Sequence, residues 1–193
     1  MTRRKLSPYS DIPAMTRRLV ALHARIRPSE LAAGIAWYDR ARVAAHAMAI
    51  DGDVERAASV IAHLSPRARW ATNISWAASV LQAASEGRPC PNASTLGQRG
   101  KAWAVACGQA SPRASHGPKT GAFLANILGE LDRVCVDGWA ARAALGRAPG
   151  RSGLDKRSYA KVEEAYVRAA RALGMAPRDF QAAVWVHVRG SAD

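Results

Sequence analysis

Apolar residues recur every three or four positions along nearly the whole of this 193-residue chain, and much of the apolar set is alanine. Alanine has the highest helix propensity and lets helices approach closely, so the pattern predicts an all-α fold with essentially no sheet. Helices are expected over about 13–26, 29–50, 53–64, from 66 through Leu81 toward a loop at Gly87, and over 95–107, 118–128, 137–145, 157–173 and 177–189. Ser29 and Asp53 read as caps, and Asp51-Gly52 as the turn between their helices. Ser65-Pro66 reads as a helix start, a capping hydroxyl followed by proline at the first helical position. Val134-Cys135-Val136 reads as a short extended piece before Asp137 opens the next helix. The implied architecture is a helical bundle of two lobes with a cleft between them.

Residues 1–11 hold Arg3, Arg4 and Lys5 ahead of Ser7-Pro8 and read as a basic flexible arm. Residues 12–146 form the expected core, 147–157 (GRAPGRSGLDK) a linker, and 158–193 C-terminal helices that pack on the core. Lys and Arg total 28 against 15 Asp and Glu, a formal net charge of +13. That excess points to an anionic partner, a phosphate backbone before others. Three cysteines and five histidines show no metal-ligand spacing, so neither a metal nor another cofactor is expected. The odd cysteine count argues against a disulfide framework and for the reducing cytoplasm. No apolar run has the length of a membrane span, and no membrane partner is expected. A monomer is the expected state.

The most informative stretch runs from His116 to Arg142. Gly117 permits a sharp turn with positive φ. Pro118 then opens a helix whose N-terminus suits a phosphate, with Lys119 adding a cation. A plain loop-to-helix junction with a solvated lysine has the same local pattern. Asp137 stands where it can cap the next helix, which is compatible with a catalytic role because a cap fixes the carboxylate.

Gly117-Pro118-Lys119-Thr120-Gly121, Val136-Asp137 and Arg142 resemble helix–hairpin–helix DNA glycosylases of the endonuclease III type. In that family the hairpin ends in Gly-x-Lys-Thr-Ala, and a Val-Asp pair opens a later helix with an arginine five residues on. Leu64-Ser65-Pro66-Arg67 resembles the family's Leu-Ser-x-Gln segment, with Arg67 at the position of the glutamine that enters the duplex. The chain is also similar to phage and actinobacterial proteins that share Leu-Ser-Pro-Arg-x-x-Trp-x-x-Asn, Gly-Pro-Lys, Phe-x-x-Asn-Ile, Val-Asp and a C-terminal Gln-Ala-x-x-Trp. Three departures stand out. Ser115 and Ala114 occupy the family's first hairpin glycine and its preceding proline. Trp139 replaces a histidine two residues after the aspartate. The four-cysteine cluster is absent, so no iron–sulfur cofactor is implied.

The resemblance implies a two-lobed fold of this glycosylase type that flips a base and cleaves its N-glycosidic bond. Asp137 would stabilise positive charge at the sugar and orient a nucleophile. Lys119 would attack C1′ in a Schiff-base lyase, or else contact a phosphate. Gly117, Pro118, Thr120, Gly121, His116, Arg67 and Arg142 would contact double-stranded DNA. Trp70, Asn73, Asn126 and Trp139 would line a base pocket, or hold helices together. Gln181 and Trp185, one turn apart, read as packing residues of the last helix. Two other outcomes keep the same scaffold: a transferase that hypermodifies DNA thymine, and a DNA-binding protein without catalysis.

Overall fold

The computed structural model describes residues 9–114, 116–148 and 154–190. Residues 1–8 of the expected arm, Ser115, and residues 149–153 of the expected linker lie outside them. Among the described residues the chain is all-α, with α1 (Ile12–His23), α2 (Pro28–Ala47), α3 (Val54–Leu64), α4 (Trp70–Ser85), α5 (Leu96–Ala106), α6 (Pro118–Ile127), α7 (Gly138–Leu145), α8 (Lys156–Ala172) and α9 (Pro177–Arg189). A short 3-10 turn, Ile50–Gly52, follows α2. Contacts divide the described residues into two compact units, 9–36 with 131–190 and 37–130.

The first unit is built by α1, the start of α2, and α7 to α9. Asp11 caps α1 by accepting from the Ala14 amide at 2.9 Å. Met15 and Leu19 are buried, and Leu22 and Ile26 pack on the same core. α7 contributes Ala140, Ala141, Ala143 and Ala144, α8 Tyr159, Val162 and Tyr166, and α9 Phe180 and Val184. These small faces let helices come close, and Gly34 of α2 shows the limit. A Cβ there would lie 2.4 Å from Ala183 Cα and 2.5 Å from Ala183 N. The first turn of α2 is closed by Glu30, not by the expected Ser29. The helix begins one residue earlier, at Pro28. The Glu30 carboxylate reaches back to the Arg27 amide at 2.9 Å and to its guanidinium at 2.6 Å. Those bonds to Arg27, with a further one from His187 at 2.9 Å, hold the Glu30 carboxyl at about 2.

Residues 134–136 belong to no helix or strand among the described residues. Their buried polar groups are met by Tyr159. Its hydroxyl donates to the Val134 carbonyl at 2.7 Å and accepts from the Val136 amide at 3.1 Å. One side chain thus does what a sheet ladder would otherwise do. Burial holds this phenol well above its ordinary pKa, so it stays protonated.

In the second unit every residue from Ala57 to Leu64 of α3 is buried. α3 is therefore the central helix, with α4, α5 and α6 packed against it. Asp53 caps it, accepting from the Arg56 amide at 2.9 Å. Trp37, Tyr38, Trp70 and Phe123 form one aromatic cluster, with centroid separations of 5.0 to 6.1 Å.

Ser65-Pro66 does not start a helix. Ser65 to Ala68 is a turn closed by the Ala68 amide on the Ser65 carbonyl at 3.2 Å, and α4 begins at Trp70. The Ser65 hydroxyl looks backward and donates to Ala62 O at 2.9 Å. Pro66 stands at the second turn position and Arg67 at the third with φ +64°, the type II pattern. Proline suits a turn as well as a first helical residue, and the left-handed Arg67 decides between them.

Candidate functional site

Asp137 precedes α7 as its N-cap. One carboxylate oxygen accepts from the Ala140 amide at 2.8 Å. The other accepts from the Trp185 indole Nε1 at 3.0 Å, across 48 residues of chain. A helix cap needs only the first of these bonds. The second fixes the carboxylate's rotation while the residue stays half-exposed. Around it, Tyr166 donates its hydroxyl to the Ala140 carbonyl at 3.1 Å. Burial first, and the Asp137 carboxylate second, hold that phenol protonated. The Arg189 guanidinium lies 4.6 Å from the Trp185 ring centroid, and that of Arg142 lies 5.1 Å from Trp139. All of these residues belong to the first unit.

Lys119, Arg67, His116 and the hairpin glycines belong to the second unit. Gly117 has φ −74° and ψ 170°, ordinary extended backbone, so the expected positive φ is not found there. It is the N-cap of α6 and offers no side chain to that helix end. A residue in extended geometry can cap a helix without glycine's freedom, and a Cβ at 117 would meet nothing within 4 Å. Thr120 Oγ1 donates to Gly117 O at 3.2 Å, and Lys119 is half-buried. Arg67 is exposed on its turn.

His116 lies half-buried, its ring stacked on His63 at 3.9 Å with an interplanar angle of 14°. Its Nε2 is 2.9 Å from the Pro112 carbonyl and 3.0 Å from Ser59 Oγ. A carbonyl only accepts, so Nε2 carries the proton. The Ser59 hydroxyl donates to that same carbonyl at 2.7 Å. The Ser59–His116 contact is therefore no nucleophile–base pair, because the hydroxyl proton is committed and the nitrogen is already protonated. The stack joins the end of α3, next to the Arg67 turn, to the residue before the hairpin helix.

Burial, and then His116 and Lys101, push His63 down to about 4; burial likewise lowers His116, against the Pro112 carbonyl. Unfolded histidines titrate near 6.5, so between pH 6.5 and 4 the unfolded chain takes up protons that the folded chain refuses. Stability is thus full above about pH 6.5 and falls as the pH drops. His63 is expected to contribute roughly 2 kcal/mol of that loss after allowance for screening by water. Urea unfolding at pH 7 and pH 4.5 checks it. The loss should shrink in His63→Gln, and an equal loss in both proteins would refute the assignment.

Of the residues proposed for a base pocket, Trp70 sits in the aromatic cluster 5.1 Å from Trp37. Asn73 and Asn126 are buried on α4 and α6, and Asn73 Oδ1 has no hydrogen-bond partner. Trp139 is exposed on α7. An open groove of about 450 Å³ in the second unit, lined by Arg42, His46, Asp53, Glu55, Arg113 and Leu128, holds none of the site residues expected from the sequence. Among the described residues no three His, Cys, Asp or Glu side chains are placed to share a metal ion. No described helix is long and apolar enough to cross a membrane.

The family DUF7178, a family of unknown function, matches residues 2–192. This chain belongs to the DUF7178 family. No curated protein matches the chain, and no solved structure does.

In this DUF7178 chain, sequence reasoning passed over Trp185, Tyr159, Tyr166, His63 and Ser59 as site residues. Trp185 carried a signal in the shared Gln-Ala-x-x-Trp ending, which was assigned to packing. The others lie on apolar helical stripes and look like core until their hydrogen bonds or stacking partners are seen.

Proposed function

We propose that this chain is a DNA-binding base-excision enzyme on a two-lobed helix–hairpin–helix glycosylase scaffold. The observation that carries this reading is the double hold on Asp137, by a helix amide and by a tryptophan brought from the far end of the sequence. A half-exposed carboxylate fixed in rotation suits the stabilisation of positive charge at C1′ as the C1′–N bond breaks. Water then supplies the oxygen bonded to C1′, and its proton leaves with the base. Asp137 both stabilises the cation and orients that water.

Two features of the second unit support the DNA side of the reading. The start of α6, where Gly117 supplies no side-chain cap and Lys119 and Thr120 follow, suits a phosphate. Arg67 holds a left-handed conformation that costs a non-glycine residue about 1 kcal/mol or more. Such strain at an exposed, cationic turn fits a side chain that enters the gap left by an extruded base. Lys119 would add Schiff-base lyase chemistry.

Binding without catalysis is the second reading. It is favoured by the fact that both Asp137 oxygens already have partners inside the protein. The test is mass spectrometry after incubation with duplex DNAs carrying damaged or modified bases. Free base supports excision, and a modified nucleoside replaces it with group transfer. Tight binding with neither product leaves the binding role. Borohydride trapping that yields no adduct, or one that survives Lys119→Ala, removes the lyase step.

A further inference from the structure

Trp139 alone of the six tryptophans is exposed, at 38%. It lies two residues beyond Asp137 on α7, whose alanines 140, 141, 143 and 144 are all buried. The helix therefore turns its small residues inward and its largest side chain outward. The Arg142 guanidinium stands over the ring, 5.1 Å from its centroid, one helical turn along. Such a pair joins an aromatic surface to a cation, the two elements that take an unpaired nucleobase and its adjoining phosphate.

A chain of net charge +13 is complementary to that polyanion. The pair also follows directly on the doubly hydrogen-bonded Asp137. Trp185, stacked under Arg189, holds the Asp137 carboxylate from which α7 starts.

We propose that Trp139 and Arg142 form a platform for an unstacked base of a nucleic-acid strand. This rests on the nucleic-acid part of the function proposed above, and not on its chemistry. The platform discriminates single-stranded or locally opened DNA from closed duplex, because a paired base offers no free face.

The test compares two probes, a twelve-nucleotide oligo-dT and a fully paired duplex of twenty base pairs. Trp139→Ala is expected to weaken oligo-dT binding roughly tenfold or more, the scale of one lost base–aromatic stack. Trp139→Phe keeps an aromatic face and should stay within about threefold of the original protein. Duplex affinity should change little in either variant. Arg142→Ala should reduce the salt dependence of oligo-dT binding by about one phosphate contact. Circular dichroism and Tm establish that the variants are folded, as an exposed site requires.

Equal losses on both probes, or none in Trp139→Ala, overturn the proposal. Base release with oligo-dT binding unaffected in that variant would sink the platform and leave the excision reading standing. Selective loss without any base release would do the reverse. A wild-type protein that binds neither probe refutes both.

Discussion

Under the proposed excision function, replacing Asp137 by Asn is expected to lower base release by about a hundredfold or more while the fold survives. The scale is that of removing one preorganised charge-stabilising group from a reacting centre. Survival of the fold follows from chemistry, since Asn caps a helix about as well as Asp. The cost lies in the second bond. Asp137 accepts from both Ala140 N and Trp185 Nε1, whereas the Asn side chain has one acceptor oxygen. Its amide nitrogen would face a donor, so a loss of about 1–2 kcal/mol in stability is expected. Trp185→Phe keeps the ring's bulk and removes only the donor. It should lower the turnover number while leaving DNA affinity nearly unchanged. Single-turnover base release and a binding titration measure the two quantities separately. Unaltered turnover in Asp137→Asn would remove the carboxylate from the chemistry.

The second large effect concerns the first unit's packing. Gly34→Ala would drive a Cβ to 2.4 Å from Ala183 Cα and 2.9 Å from Ala182 C. Both are backbone atoms of α9, so no side-chain rotation relieves the clash and the helices must separate. A loss of about 3 kcal/mol or more is expected, at the upper end for overpacking. That corresponds to a fall of roughly 10 °C in Tm for a chain of this length. Gly100→Ala is the control of opposite sign. Gly100 lies exposed inside α5 and a Cβ there meets nothing within 4 Å. Helix propensity alone then predicts a gain of about 0.5–1 kcal/mol. Thermal unfolding of the two variants decides the matter, and equal Tm values would show that the α2–α9 contact is not tight.

How legible these features were depends on how local their physics is. The predicted helix over 177–189 agrees with α9, that over 118–128 runs one residue past the end of α6, and that over 157–173 is offset from α8 by one residue at each end. Apolar spacing, proline and glycine act within a few residues, so sequence carries them. The caps Asp53 and Asp137 were legible for the same reason. Ser65-Pro66 was misread because its local chemistry serves a turn and a helix start equally. Gly117 was misread because a glycine permits positive φ without requiring it.

Asp137 was visible in the sequence as a cap and, through its resemblance, as a carboxylate of interest. Its partner was not visible, because Trp185 is 48 residues away and a helical tryptophan looks the same whether it packs or donates. The same holds for Tyr159 bridging Val134 and Val136, and for His63 under His116. The sequence by itself determined an all-α chain, the caps Asp53 and Asp137 and a strong positive charge, since propensity, hydrogen bonds over three residues and net charge need no distant contact. Only the tertiary structure decided which carboxylate oxygen meets an indole, which histidines share a face and which tryptophan stays outside. Those depend on helices brought together by burial of their apolar stripes, and that geometry is written in no single segment.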